Sequence, residues 1–137
     1  MKEGFTMLNE KVVKVLKENT WSLATCDKEG MPNVVPMGFR EVTEDGRIAI
    51  GDVFMEATVA NVLANPYAAV SAYDATSHEG YQVKGTAEYV TSGPIFDKFH
   101  AAAEAHFQGK AHIKGAVIIT PTKVIITTPG PENKKVL

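Results

Sequence analysis

The chain has 137 residues, 45% hydrophobic and 22% charged, the balance of one ordinary globular domain with a core of its own. Its 14 Lys and Arg against 16 Asp and Glu give a formal charge of −2, so no basic excess exists to hold a nucleic-acid backbone. A single cysteine, Cys26, excludes an internal disulfide framework and a Cys-rich metal cluster, and no apolar run is long enough to span a bilayer.

The first residues include Lys2 and Glu3 in a polar-rich helix pattern, not the apolar core of a secretory signal, so a cytoplasmic protein is expected. Basic residues do not collect on one helix face, which disfavours a membrane surface. Residues 8–19 carry Leu8, Val12, Val15 and Leu16 on one stripe of an amphipathic helix. A β-like run follows at 20–26, in which Cys26 reads as a buried small side chain rather than a reactive thiol. Asp27-Lys28-Glu29-Gly30 is a turn with Gly available for positive φ. Residues 33–42 read as a second strand, and Pro36 and Gly38 within it mark an edge, a bulge or a ligand approaching the backbone. Glu44-Asp45-Gly46 turns into a short strand at 47–51 that completes a meander.

Over 52–65 the period becomes helical, with Phe54, Val59, Val62 and Leu63 as the apolar positions and Asn65-Pro66 as the stop. Strand patterns return at 68–73 and 81–90. The run Thr91-Ser92-Gly93-Pro94 supplies cap candidates and an early-helix Pro for a third helix that reaches about His106 with Ile95, Phe99, Ala102 and Ala103 as its apolar stripe. Residues 116–120 and 123–128 are β-rich, separated by Pro121. With no repeat or linker, residues 1–137 form a single domain. Its class is mainly β (α+β), a six- to seven-stranded antiparallel barrel with about three flanking helices.

Several chemistries lack their motif. There is no Gly-x-Gly-x-x-Gly after a strand, no P-loop and no nucleophile elbow around any serine. His100, His106 and His112 recur every six residues, which on a helix turns neighbours about 120° apart, so they cannot share one metal. These absences direct attention to a cofactor that brings its own chemistry.

Three segments carry a resemblance. They are Asp27-Lys28-Glu29-Gly30-Met31-Pro32-Asn33-Val34-Val35-Pro36-Met37-Gly38; Gly51-Asp52-Val53-Phe54-Met55-Glu56-Ala57-Thr58-Val59-Ala60-Asn61-Val62, running on to Asn65-Pro66; and Tyr81-Gln82-Val83-Lys84-Gly85-Thr86-Ala87-Glu88. In order and spacing, together they resemble the hairpin, strand-to-helix phosphate loop and return strand of the pyridoxamine 5'-phosphate oxidase-like FMN-binding split barrels, the short members in particular.

The resemblance implies a homodimer with FMN at the interface. Val35, Pro36, Met37 and Gly38 match the family's ring-contacting strand. Gly51, Asp52, Val53, Phe54, Met55, Ala57 and Thr58 match its phosphate loop, Thr58 at a phosphate-ligand position, and Gln82 falls in the return strand. A helix start there also offers free N–H groups to an anion. Two departures stand out. Where the family usually places Lys or Arg, this chain has Ala57 and Thr58, and the acidic Asp52 and Glu56 are able to satisfy the helix start themselves; Arg40, at a basic phosphate-contact position of the larger oxidases, is the candidate to compensate. Nor does any Arg follow Arg47, so the Arg-rich substrate segment of true pyridoxamine-phosphate oxidases is missing and a vitamin B6 oxidase is not expected. No catalytic residue and no metal ligand are marked. The expected function is an FMN-dependent oxidoreductase of a small substrate, or else a non-catalytic flavin-binding or electron-carrier module, the flavin being FMN or another such as deazaflavin.

Overall fold

The computed structural model describes residues 7–137; Lys2 and Glu3 lie outside them. The chain runs α1 (Glu10–Glu18), β1 (Trp21–Cys26), β2 (Pro32–Met37), β3 (Arg40–Val42), β4 (Ile48–Asp52), α2 (Ala57–Ala64), β5 (Tyr67–Tyr73), β6 (Gly80–Val90), α3 (Pro94–Phe107) and β7 (Gly115–Ile126). All seven strands form one antiparallel sheet in the order β2-β1-β5-β6-β7-β4-β3.

That order dictates the shape. β2 and β3 are opposite edges of the sheet, yet only Gly38 and Phe39 separate them in sequence. In a flat sheet the two edges would stand roughly 29 Å apart, six spacings of about 4.8 Å. A two-residue link reaches only about 10 Å between its flanking residues. The sheet therefore curls until its edges meet at this link, as a split barrel with three helices against it. Residues 33–42 are thus two strands rather than one, and β4 pairs with β3 and β7 instead of completing a meander beside β2.

Alternation along the strands builds the core. One row across the sheet, Val35-Leu23-Val70-Val83-Val124, faces inward, and the last four are fully buried. Each such aliphatic side chain contributes about 1.5–3 kcal/mol through burial. The neighbouring row, Pro36-Ser22-Ser71-Gln82, faces out. α1 lays Val12, Val15 and Leu16 on the barrel, its Asn9 cap accepts from the Val12 N–H at 3.0 Å, and Trp21 Nε1 donates to the Leu16 carbonyl. At the first hairpin Asp27 Oδ1 accepts from the N–H groups of Glu29 and Met31, and Gly30 takes φ +89°. Cys26, at the end of β1, is half-buried.

α2 departs from its apolar pattern. Phe54 precedes the helix, and Phe54 and Leu63 are 80% and 69% exposed, whereas Thr58, Asn61 and Val62 face inward. The helix packs against β1 and β6 over polar partners. Asn61 donates to Thr25 Oγ1, Asn33 to Thr58 Oγ1 and Asn65 to the Cys26 carbonyl, which makes a polar inner face tolerable. α3 buries Phe99 and Ala103 over Ala49, Ile113 and Ala116, while Ala102 is exposed; its N-cap is Gly93, within the expected run, with Pro94 in the first turn. Residues 115–126 form one continuous strand. Pro121 fits inside it because it lies opposite Gly85, where the β6 register shifts and a side chain would collide with the Thr120 carbonyl.

Candidate functional site

Where the two sheet edges meet, a cavity of about 510 Å³ opens, within the size range of small-molecule sites. One wall is β2, through Asn33, Val35, Pro36 and Met37, continuing into Gly38, which has open space on its side-chain side. The far wall is Gly51, Val53, Phe54 and Met55, where β4 leaves the sheet, followed by Glu56, Ala57 and Thr58 at the start of α2. Phe107, from the last turn of α3, closes one side. Its ring lies 5.7 Å from Phe39 and 6.3 Å from Phe54, so three separate elements supply an aromatic wall.

The α2 end is polar. The N–H groups of Ala57, Thr58 and Val59 precede the first intrahelical bond, and the N-cap residue Glu56 makes no side-chain cap. Thr58 is 2% exposed; its oxygen accepts from Asn33 Nδ2 at 3.2 Å, and among the described residues its hydroxyl hydrogen has no acceptor. An apolar slot thus leads to a buried hydroxyl and a helix start, a place for a flat ring bearing an anionic end.

Asp52 braces this end from beneath. It is 1% exposed, Oδ1 accepts from the Met55 N–H at 2.9 Å and Oδ2 from the Tyr89 hydroxyl at 2.5 Å. Burial first, then the hydrogen bond to Asp52 and its charge, push the Tyr89 hydroxyl well above the ordinary tyrosine range and keep it a donor. Gly115 gives the ring its room, because a Cβ there would lie 2.3 Å from it. Lys114 Nζ donates to the Met55 carbonyl at 3.2 Å and stands 3.9 Å from Asp52 Oδ1.

Of the residues expected at a site, Val35, Pro36, Met37, Gly38, Gly51, Val53, Phe54, Met55, Ala57 and Thr58 line this one cavity. Asp52 lies below it, its carboxylate on the loop rather than on the helix start. Arg40 and Gln82 do not line it. Arg40 stacks over Trp21 at 5.6 Å and donates to the carbonyls of Asn19 and Gly38, while Gln82 lies on the outer face of the sheet. Asn33, Phe39, Phe107 and Lys114 were not singled out by the sequence pattern. Asn33 shares the β2 alternation with Val35 and was accessible to it; Phe107 and Lys114 arrive from a distant stretch and carry no local signal. Among the described residues no group of His, Cys, Asp and Glu could hold a metal ion, and His112 pairs with Glu104 instead.

The sequence pattern of the pyridoxamine 5'-phosphate oxidase family matches residues 8–130. The chain belongs to this family. An uncharacterized protein of Methanocaldococcus jannaschii is 34% identical over 137 residues, covering 98% of this chain and 91% of the relative. Among solved structures, an FMN-binding protein from Syntrophomonas wolfei superposes with a TM-score of 0.77 at 16% identity, covering 90% of this chain and 88% of its own. HupZ of Group A Streptococcus gives 0.75 at 23%, covering 92% and 98%. An F420 reductase (0.61, 19%) and HutZ, the heme storage protein of Vibrio cholerae (0.63, 15%), have the same fold. At these identities the likeness is one of fold. Proteins whose names give FMN, F420 and heme thus share this fold, and fold alone does not choose among those ligands.

Proposed function

We propose that this chain binds FMN in the cavity between β2 and α2, as a homodimer whose second copy completes the site, and acts as an FMN-dependent oxidoreductase on a small substrate. The carrying observation is the pairing of an apolar, aromatic-walled slot with the buried Thr58 hydroxyl and uncapped α2 start at one end. The ring would lie along Val35, Pro36, Met37 and Gly38, and the phosphate would meet Thr58 and the first N–H groups of α2. Bound flavin supplies the electron transfer. Glu56 is the one ionisable side chain lining the cavity among the described residues, so the protein's part is to orient the ring and limit water.

The dimer is supported by surface chemistry. Ala57–Ala64 contains no charged residue, yet Ala57, Ala60, Leu63 and Ala64 face outward beside the exposed Phe54. Apolar surface of this kind marks interaction sites. A lone cysteine suits the reducing cytoplasm, where we place the protein.

Titration of FMN, riboflavin and a deazaflavin by fluorescence tests the cofactor. FMN is expected to bind best; no binding of any of them overturns the reading. The same cavity chemistry also fits a carrier that only holds FMN. Reduction or reoxidation of the bound flavin by a panel of small substrates separates an enzyme from a carrier.

A further inference from the structure

The α2 start carries two acidic neighbours, Asp52 and Glu56, and no basic residue of its own. A phosphate monoester arriving there would meet two carboxylates and be repelled. Lys114 changes that balance from outside the local sequence. It immediately precedes β7, and its backbone N–H donates to the Asp52 carbonyl at 2.8 Å, which fixes it alongside the turn. From there the side chain crosses to the Met55 carbonyl at 3.2 Å, directly before the cavity-lining Glu56 and Ala57.

Three features leave this ammonium, which is loosely ion-paired with Asp52, with hydrogen-bonding capacity for a ligand. Both Asp52 oxygens are already occupied by neutral donors, the Met55 N–H and the Tyr89 hydroxyl, and Lys114 approaches no closer than 3.9 Å. An ammonium has three N–H groups, and the Met55 carbonyl takes one. The side chain is 54% exposed and, without lining the cavity itself, its head rests on the backbone of the cavity-lining Met55.

We propose that Lys114 is the counter-cation for the phosphate of the bound flavin, standing in for the basic residues absent at positions 57 and 58. The inference rests on the flavin reading above. Lys114 offsets the Asp52 charge before the ligand arrives and then shares a charge-assisted hydrogen bond with the phosphate.

The test compares wild type, Lys114→Met and Lys114→Arg, each titrated with FMN and with riboflavin at low and high salt. Lys114→Met is expected to weaken FMN by about tenfold at low salt and to leave riboflavin unchanged, with the loss shrinking as salt rises. Lys114→Arg, which keeps the charge, should retain the FMN preference. Equal weakening of both ligands by Lys114→Met would mean that the residue only supports the loop, and would overturn the proposal. So would an unchanged FMN preference, which leaves the flavin reading standing and reduces Lys114 to a partner of Asp52. A wild-type protein that binds neither flavin removes the flavin reading itself, and this inference with it.

Discussion

The Tyr89 hydroxyl donates to Asp52 Oδ2 at 2.5 Å, tying the middle strand β6 to the last residue of β4, where the chain leaves the sheet to build the α2 end of the cavity. Removing it strands a buried carboxylate oxygen. Tyr89→Phe should destabilise the protein by about 1–3 kcal/mol, read from urea unfolding.

The same residue gives a pH dependence. Its pKa in the folded protein is raised, so its contribution is fully present below the unfolded value of about 10 and is lost as pH rises above that value. Wild type should lose stability at alkaline pH more steeply than Tyr89→Phe. Parallel unfolding curves for the two proteins across that range would contradict this.

Thr58 is the sharpest probe of the anionic end. Thr58→Val removes the hydroxyl and should weaken FMN by about tenfold, near 1.4 kcal/mol, with little effect on riboflavin, which lacks the phosphate. Because Asn33 loses its acceptor as well, Thr58→Ser serves as the control and should restore FMN binding. Equal losses for both ligands in Thr58→Val would point to damage of the helix start.

Ala57→Lys introduces a cation at the α2 start. It should tighten FMN by up to about tenfold at low salt, with the gain fading as salt rises. A positive charge at a helix N-terminus opposes the dipole, so the ligand-free melting temperature should fall. An unchanged FMN affinity across salt would place the phosphate elsewhere.

Arg40 should matter to the fold and not to the ligand. Its guanidinium holds the Asn19 carbonyl at 2.6 Å and covers Trp21, joining the end of α1 to the β2–β3 link. Arg40→Ala is expected to lower stability by about 1–3 kcal/mol while FMN affinity, measured by titration, stays as in wild type.

For the dimer, Leu63→Glu is the informative change, since Leu63 is exposed in the isolated chain and its replacement should leave the protomer folded. Sedimentation is expected to show a dimer for wild type and a monomer for the variant, with circular dichroism unchanged. A variant that remains dimeric moves the interface away from α2.

Periodicity made α1 and most strands readable, because their buried faces are apolar and regular: Val12, Val15 and Leu16 on one, Leu23, Val70 and Val83 on the others. It found the helix α2 and its buried Val62 but misassigned the rest of the inner face for a physical reason, since Thr58 and Asn61 are buried through hydrogen bonds that hydropathy does not register. The split of residues 33–42 was hidden because strand pairing is non-local, and nothing within that stretch announces that its halves lie on opposite edges. Most of the cavity wall was readable from two contiguous motifs. Lys114 was not, because it meets Met55 across 59 positions of chain.

Bringing both edges to one link also bears on solubility during expression and storage. An open sheet has two unpaired borders, each a template on which another chain can add a strand and seed aggregation. Here β3 is only three residues long, and β2 carries Pro32 and Pro36, neither of which has an N–H to offer an incoming strand. Replacing either proline with a β-branched residue would lengthen the recruitable border, so this barrel guards itself against fibril growth at the place where it is left unsealed.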